Sequence, residues 1–558
     1  MKLLDAMFRG RKQSARLAYF SMEVAVARDI PNYAGGLGVL AADTLYSCAD
    51  KKVPMVGISL AYHKDDDPLQ AFPLQKFFRR CKPTITVRIE NRDVKVAIWK
   101  LLMRGTQGSL PLYLLSTYLP ENEPWDRDIT KHLYASDRYY RLCQEAILGI
   151  GGVRALEALG YTNIEKYHLN EGHCALATLE LLRTHEYRED AVRSMCTFTT
   201  HTPVNAGHDV FEYPLAYQVL GDALPWDIRE LATHEALSMT HLALNLSRKA
   251  NGVSVRHREI CETMFPGHSF EAITNGVYHP RWVGGAMQSL FDMHVAYWRQ
   301  HPEMLAKKVE SIPEKALARA RAEQKHELIT WLNSQSYFFP FEEVEDRDFF
   351  DEDTLTIGFA RRFVPYKRPE LIFRHLERLR KIGKKKIQLV FAGHCHAGDE
   401  FCNALMDEVA KSAMALRGEI RVALVPNYHL EIAERLVSGC DVWLNNPVPP
   451  QEASGTSGMK VALNGGLNLS IADGWWREGT VLQPRSGWAF GSGDKIGERD
   501  DDGDATALLD TLEDVIACYE HPKRWMERVR AAIALGSFFN THRMIDEYET
   551  KLWHLKVG

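Results

Sequence analysis

A chain of 558 residues exceeds one ordinary hydrophobic core, so two or more domains are expected. Its composition of 45% apolar, 25% charged and 10% aromatic residues is that of a soluble globular protein. The net charge of −5 argues against a general nucleic-acid or anionic-membrane binder, and no apolar run nears the roughly 20 residues that span a bilayer.

The basic start, MKLLDAMFRGRKQSARLAYF, lacks the continuous apolar stretch and small-residue cleavage site of a signal peptide. Ten cysteines without a C-x-x-C pair suit free thiols in a reducing cytoplasm better than a disulfide framework. The first candidate site is NYAGGLGVLAADTL (32–45), where Gly35, Gly36 and Gly38 precede a helix-like run. Free N–H groups and the helix dipole suit an anion there, and a purely structural turn is the plainer reading. Apolar, β-rich runs follow at 55–62 (MVGISLAY) and 195–200 (MCTFTT). HLNEGHCAL (168–176) and TTHTPVNAGHD (199–209) are His-rich but lack the spacing of a zinc site, so structural or substrate-contact histidines are expected and no metal. In TNGVYHPRW (274–282), Asn275–Gly276 marks a turn, either a domain link or a polar contact into a cleft.

Helical sequence such as PEKALARARAEQKHELITWL then fills the region from about 276 to 350, where a domain boundary is expected. The acidic stretch FEEVEDRDFFDED (341–353) reads as a solvated linker. Strand-like runs resume at 354–360, 386–393 and 420–425. Strands alternating with helices imply parallel sheets, with ligands at the strands' carboxyl ends in a cleft between two open α/β domains. After the strand TLTIGFA, ARRFVPYKRPELI (360–372) sets Arg361, Arg362, Lys367 and Arg368 within eight positions, which favours a phosphate ligand over a solvated face. EASGTSGMKVALNGG (452–466) surrounds Lys460 with small residues; it is not a Walker A loop, and its lysine suits either a phosphate or a Schiff base with a carbonyl cofactor. ERDDDGD (498–504) reads as a loop, and THRMIDEYETKLWHL (541–555) as a final amphipathic helix.

In this order, YFSMEVAVARDIPNYAGGLGVLAADTL, YHLNEGHCA, FTTHTPVNAGHD, ITNGVYHPRW, TIGFARRFVPYKRPELI, DVWLNNPVPPQEASGTSGMKVALNGG and NTHRMIDEYETKLW resemble the α-glucan (glycogen, starch, maltodextrin) phosphorylases, most closely their short prokaryotic branch. The resemblance runs from near residue 18 to the C-terminus. It implies an α/β chain of two Rossmann-like domains facing across a deep cleft, the glycosyltransferase B-type fold. The N-terminal domain, 1–278 joined by the C-terminal helix 540–558, would carry the glucan and phosphate side. The other, 279–539, would bind pyridoxal 5′-phosphate.

Residue by residue, Lys460 matches the lysine that holds pyridoxal phosphate through a Schiff base, with Gly455, Thr456, Ser457 and Gly458 around the cofactor. Arg361 matches the cation on the cofactor phosphate, and Trp282 an aromatic residue nearby. Gly36, Arg362 and Lys367 match the substrate-phosphate contacts; His201, Asn275, Glu452 and Ser454 match glucosyl contacts, with Tyr366 and Tyr428 close by. Lys367, Arg362 and His201 are the implied catalytic residues. The implied reaction is reversible phosphorolysis of an α-1,4-glucan by inorganic phosphate to α-glucose 1-phosphate with retention, in which two adjacent phosphates require several fixed cations. AYHKDDDPLQAF (61–72) departs from an aromatic–glycine segment usual in relatives, which leaves the local glucan-site lining open. A nucleotide-sugar glucosyltransferase of the glycogen-synthase kind shares the architecture and the GGLG turn but needs no Schiff-base lysine. A silent glucan-binding relative is the third reading. Relatives are often homodimers, and nothing in the sequence identifies an interface.

Overall fold

The structure, a computed structural model, describes residues 14–63, 73–335, 349–393, 400–491 and 499–555. The chain divides into two compact units. One comprises Met1–Val253, Cys261–Ile273 and Ile545–Gly558; the other comprises Ser254–Ile260 and Thr274–Met544.

The first unit is built on strands β1 (Leu17–Ser21), β2 (Met55–Leu60), β3 (Arg79–Ile89), β4 (Arg92–Arg104), β5 (Ser109–Ser116), β6 (Lys166–Asn170), β7 (Cys196–Thr199), β10 (Lys249–Gly252) and β11 (Phe270–Ala272), while β8 (Val210–Phe211) and β9 (Leu237–Ser238) pair separately. Their order is β11-β10-β7-β6-β1-β2-β5-β4-β3. All pairings from β11 to β5 are parallel, and β4 and β3 extend the sheet antiparallel. β1 and β2 are buried along their whole length, as strands covered on both faces must be, and their sequences are accordingly apolar without alternation. β3 and β4 instead alternate, and their hairpin turns at Glu90 and Asn91, both at positive φ, as a two-residue primed turn requires.

The second unit holds β12 (Leu355–Ala360), β13 (Ile387–Ala392), β14 (Arg421–Val425), β15 (Val442–Asn445), β16 (Leu467–Ile471) and β17 (Gly487–Phe490), all parallel in the order β14-β13-β12-β15-β16-β17. Numbered within the sheet this is 3-2-1-4-5-6, the Rossmann order, and the parallel core of the first sheet follows the same scheme with one more strand. In each sheet the winding reverses beside the first strand. The carboxyl ends of β1 and β6, and of β12 and β15, therefore flank the two crevices where such sheets bind ligands.

The expected strands at 55–62, 195–200, 354–360, 386–393 and 420–425 lie within two residues of β2, β7, β12, β13 and β14. The expectation for ERDDDGD fails: from Asp501 onward it is not a loop but starts the helix Asp501–Tyr519, with the Asp500 side chain accepting from Gly503 N. Acids in a first turn complement the helix dipole, and Arg368 pairs with both Asp501 and Asp504, with Arg499 also on Asp501. Most of the acidic 341–353 stretch and of the 61–72 departure, and His394–His396, fall outside the described residues. Among the described residues eight cysteines are free, seven of them buried, but Cys402 is disulfide-bonded, so the expectation of free thiols fails at that position. Among the described residues no helix is long and apolar enough to cross a membrane.

Candidate active site

In the second unit the candidate residues follow the carboxyl ends of three adjacent strands. β12 runs directly into Arg361 and Arg362, β15 into the loop that reaches Glu452, and β16 into Asp473. Glu452 is buried, and its Oε2 accepts from Arg361 Nη2 at 2.7 Å and Lys367 Nζ at 2.6 Å. Burial pushes this carboxyl up, but the two cations outweigh it and hold it at about 2. The carboxylate therefore stays ionised and offsets only one of the two charges it touches. Arg361 is itself buried, and its Nη1 has no partner among the described residues. Arg362 is exposed and forms no ion pair among them.

Not all four cations of ARRFVPYKR face a ligand. Arg368 is fully buried: Nε donates to the Asn446 carbonyl, Nη2 to the Pro447 carbonyl, and Nη1 pairs with Asp501 and Asp504. Its charge is spent on anchoring the loop between β15 and Glu452, which corrects its reading as a phosphate cation. Lys367 Nζ lies 4.5 Å from the Tyr366 ring centre. The Tyr366 carbonyl accepts from Val448 N and ties the same loop, while Tyr428 N donates to the Gly393 carbonyl.

Lys460 lies in the helix Ser457–Leu463, largely buried, with Nζ 3.9 Å from the Trp282 ring centre. Asn464 Nδ2 donates to the carbonyls of both Trp282 and Lys460, fixing the two to each other. The small residues before the lysine have separate reasons. Gly455 has φ +91°, a conformation that disfavours any side chain, and a Cβ on Gly458 would overlap Asn468 Oδ1. Thr456 is the N-cap without a side-chain bond, and the Ser457 hydroxyl accepts from Trp443 Nε1 at 3.1 Å. Ser454 Oγ and Asn275 Oδ1 are buried without partners among the described residues. A buried amine on an aromatic face, a guanidinium nitrogen without a partner among the described residues and a turn kept open by Gly455 and Gly458 fit a flat aromatic aldehyde that carries a phosphate, such as pyridoxal phosphate.

In the first unit, Gly36 opens the helix Gly36–Asp50 with nothing within 4 Å of where its Cβ would lie. The turn is less free than its glycines suggest. The buried Glu23 carboxylate already accepts from Ala34 N at 2.6 Å and Gly35 N at 3.2 Å, while Gly36 N–H has no partner among the described residues. His201 follows β7; its Nε2 lies 2.8 Å from Asn170 Oδ1, and its backbone N–H donates to Glu171 Oε2 at 2.7 Å. Burial pushes the imidazole down to about 4, so it is neutral at pH 7. The other histidines have protein partners: His168 with Thr199, His173 with Asp209, and His208 with Thr240.

Sequence reasoning missed Asp473, Glu23, Asn170 and Glu171. Asp473 accepts from Glu452 N and Gly474 N, each at 2.9 Å, and so holds the backbone of the cation-bearing carboxylate; burial pushes its own carboxyl up to about 6. The signal was local: an Asp–Gly pair directly after an apolar run sits at a strand's carboxyl end. In HLNEGH the functional pair is the asparagine that ends β6 and the glutamate that follows it, and no spacing in the sequence marks them.

A family model described as carbohydrate phosphorylase matches residues 225–477. The glycogen phosphorylase of Mycobacterium tuberculosis is 35% identical over 625 aligned residues, covering 95% of this chain and 70% of that protein. The maltodextrin phosphorylase of Thermococcus litoralis is 34% identical over 597, covering 96% and 70%. An uncharacterised protein of Methanocaldococcus jannaschii is 29% identical over 557, covering 96% and 99%. The first two alignments are longer than the chain, so those relatives carry segments with no counterpart in it.

Proposed function

The chain belongs to the carbohydrate phosphorylase family, and from that premise we propose that it is an α-glucan phosphorylase. The reaction is the transfer of a glucosyl unit from the non-reducing end of an α-1,4-glucan or maltodextrin to inorganic phosphate, reversibly and with retention, giving α-glucose 1-phosphate. The observation that carries this reading is the surplus of buried positive charge after β12, where Arg361 and Lys367 share one carboxylate and a guanidinium nitrogen is left over. Buried unpaired donors of this kind call for an anion.

In this reading Lys460 holds the aldehyde of pyridoxal phosphate, Arg361 its phosphate, and Gly455, Thr456, Ser457, Gly458 and Trp282 line it. When bound, that group supplies a second phosphate beside the substrate phosphate, as an acid–base or electrostatic partner. Arg362, Lys367 and the Gly36 N–H hold the substrate phosphate. Its charge competes with Glu452 for Lys367, and the carboxylate so released takes sugar hydroxyls together with His201, Asn275 and Ser454, with Tyr366 and Tyr428 alongside. Two phosphates in near contact repel, and fixed cations offset that repulsion without reorganising during the reaction. Two Rossmann-like units facing across a cleft, one on the glucan side and one on the cofactor side, belong to the same proposal.

A nucleotide-sugar transferase has no use for a buried lysine on a tryptophan face. The test incubates the protein with maltodextrin and inorganic phosphate, follows glucose 1-phosphate, and records a borohydride-reducible chromophore. Lys460→Ala should lose both chromophore and product while keeping its far-ultraviolet circular dichroism. Wild-type chromophore without product would favour the silent relative, and a fully active Lys460→Ala would sink the assignment.

A further inference from the structure

A chain of hydrogen bonds at the carboxyl ends of β1 and β6 has its proton positions dictated from one end. Ser21 Oγ lies 2.8 Å from the Glu23 carbonyl oxygen, which only accepts, so the hydroxyl proton is committed there. The Ser21 oxygen is left as an acceptor, and Asn170 Nδ2 donates to it at 3.1 Å. The reversed amide would set oxygen against oxygen, and the orientation is thereby fixed. Asn170 Oδ1 then faces His201 Nε2 at 2.8 Å. An amide oxygen cannot donate, so the imidazole carries its proton on Nε2. Nδ1 keeps its lone pair and has no hydrogen-bond partner among the described residues. Ser21 and Asn170 are both fully buried, which removes water as a competing donor or acceptor along the chain.

The neighbouring residue holds the loop. Glu171 has φ +78° and ψ 163°, a region occupied almost solely by glycine. The strain is retained because its carboxylate accepts from His201 N at 2.7 Å and Thr202 Oγ1 at 3.0 Å. Among the described residues, the titratable neighbours of the His201 ring are Glu171, whose carboxylate favours its protonated form, and His168, whose charge would oppose it.

We propose that Ser21 and Asn170 are positioning residues that hold His201 as the Nε2–H tautomer, so that Nδ1 accepts a hydrogen bond from a hydroxyl of the glucosyl unit. The inference rests on His201 being a glucosyl contact, as in the function proposed above. An imidazole held this way selects for a sugar hydroxyl that donates and against an analogue carrying fluorine in its place.

The test replaces Asn170 with aspartate, which keeps the shape but sets a carboxylate against Nε2. That charge favours the imidazolium, whose Nδ1–H opposes a donating hydroxyl. Asn170→Asp should lose about 10- to 100-fold in kcat/KM for maltodextrin at neutral pH, with activity recovering at high pH and the phosphate KM within about threefold of wild type. Ser21→Ala, which frees the amide, should show a smaller loss. Nitrogen-15 spectra of histidine-labelled protein, with His201 assigned by its replacement, read the tautomer without reference to turnover. A single Nε2–H form in wild type and a doubly protonated ring in Asn170→Asp are expected. An Nδ1–H wild-type ring, or an Asn170→Asp pH profile identical to wild type, overturns the inference. Wild type making no glucose 1-phosphate overturns the function instead, and the tautomer still decides whether Ser21 and Asn170 do what is inferred.

Discussion

Glu452 acts as an internal counter-ion, with both Arg361 and Lys367 on a single oxygen. Its folded-state value of about 2 lies below the ordinary 4.5, so its contribution to stability is complete above about 4.5 and is lost as pH falls towards 2. That difference corresponds to about 3 kcal/mol. Replacement by glutamine leaves two cations facing one neutral amide, and breaking a buried pair this way costs about 3–5 kcal/mol. Urea unfolding at pH 7 should show that loss, and the variant's stability should be flatter between pH 5 and 2 than that of wild type. Inorganic phosphate should restore more stability to Glu452→Gln than it adds to wild type, because the anion then takes up charge that the carboxylate no longer offsets. Equal stabilisation of both proteins would mean that Glu452 does not compete with the anion.

Among elements, the helix Asp501–Tyr519 and the loop between β15 and Glu452 depend on one guanidinium, that of Arg368. Arg368→Ala removes the guanidinium that pairs with Asp501 and Asp504, leaving Arg499 on Asp501, and removes two bonds to the carbonyls of Asn446 and Pro447. A loss of about 3–5 kcal/mol is expected, read by denaturant unfolding, together with faster exchange of the Val448, Gln451 and Glu452 amides and weaker retention of the chromophore. Unchanged exchange in that loop would show that the β15 connection is held by other contacts. The same residues explain what was legible from sequence. β2, β12 and β13 announced themselves because strands buried on both faces must be apolar throughout. The acidic run did not, because a cluster of like charges becomes a helix start only when a cation arrives from far along the chain, and no local pattern records that arrival. The lysine, its glycine turn and the cations after β12 were readable as chemistry. Which of those cations face a ligand and which hold a loop depends on burial, a tertiary property.

At the scale of the whole molecule, the chain completes its second unit at Met544 and ends in the first, where Ile545–Gly558 belongs. The closing contact is Trp553, fully buried, whose Nε1–H donates to His168 Nδ1 at 3.0 Å while its ring stacks on Tyr548. Burial pushes the His168 imidazole down to about 3, which keeps it neutral and able to accept that bond. His168 lies on β6 two residues before Asn170, and period-two alternation places both on one face of the sheet. The last turn of the chain therefore braces the strand that orients His201. Trp553→Ala should cost about 3–5 kcal/mol through the cavity it leaves and the donor it removes from His168. Hydrogen exchange locates that loss: amides of β1, β6 and β7 should exchange faster, while those of β12, β15 and β16 keep their wild-type rates. The Lys51–Asp546 ion pair of the same segment has its aspartate 64% exposed, and its removal should change neither set measurably. Equal acceleration in both sheets would mean that the two units open as one cooperative body, and that the terminal segment stabilises the molecule as a whole rather than the strand beneath it.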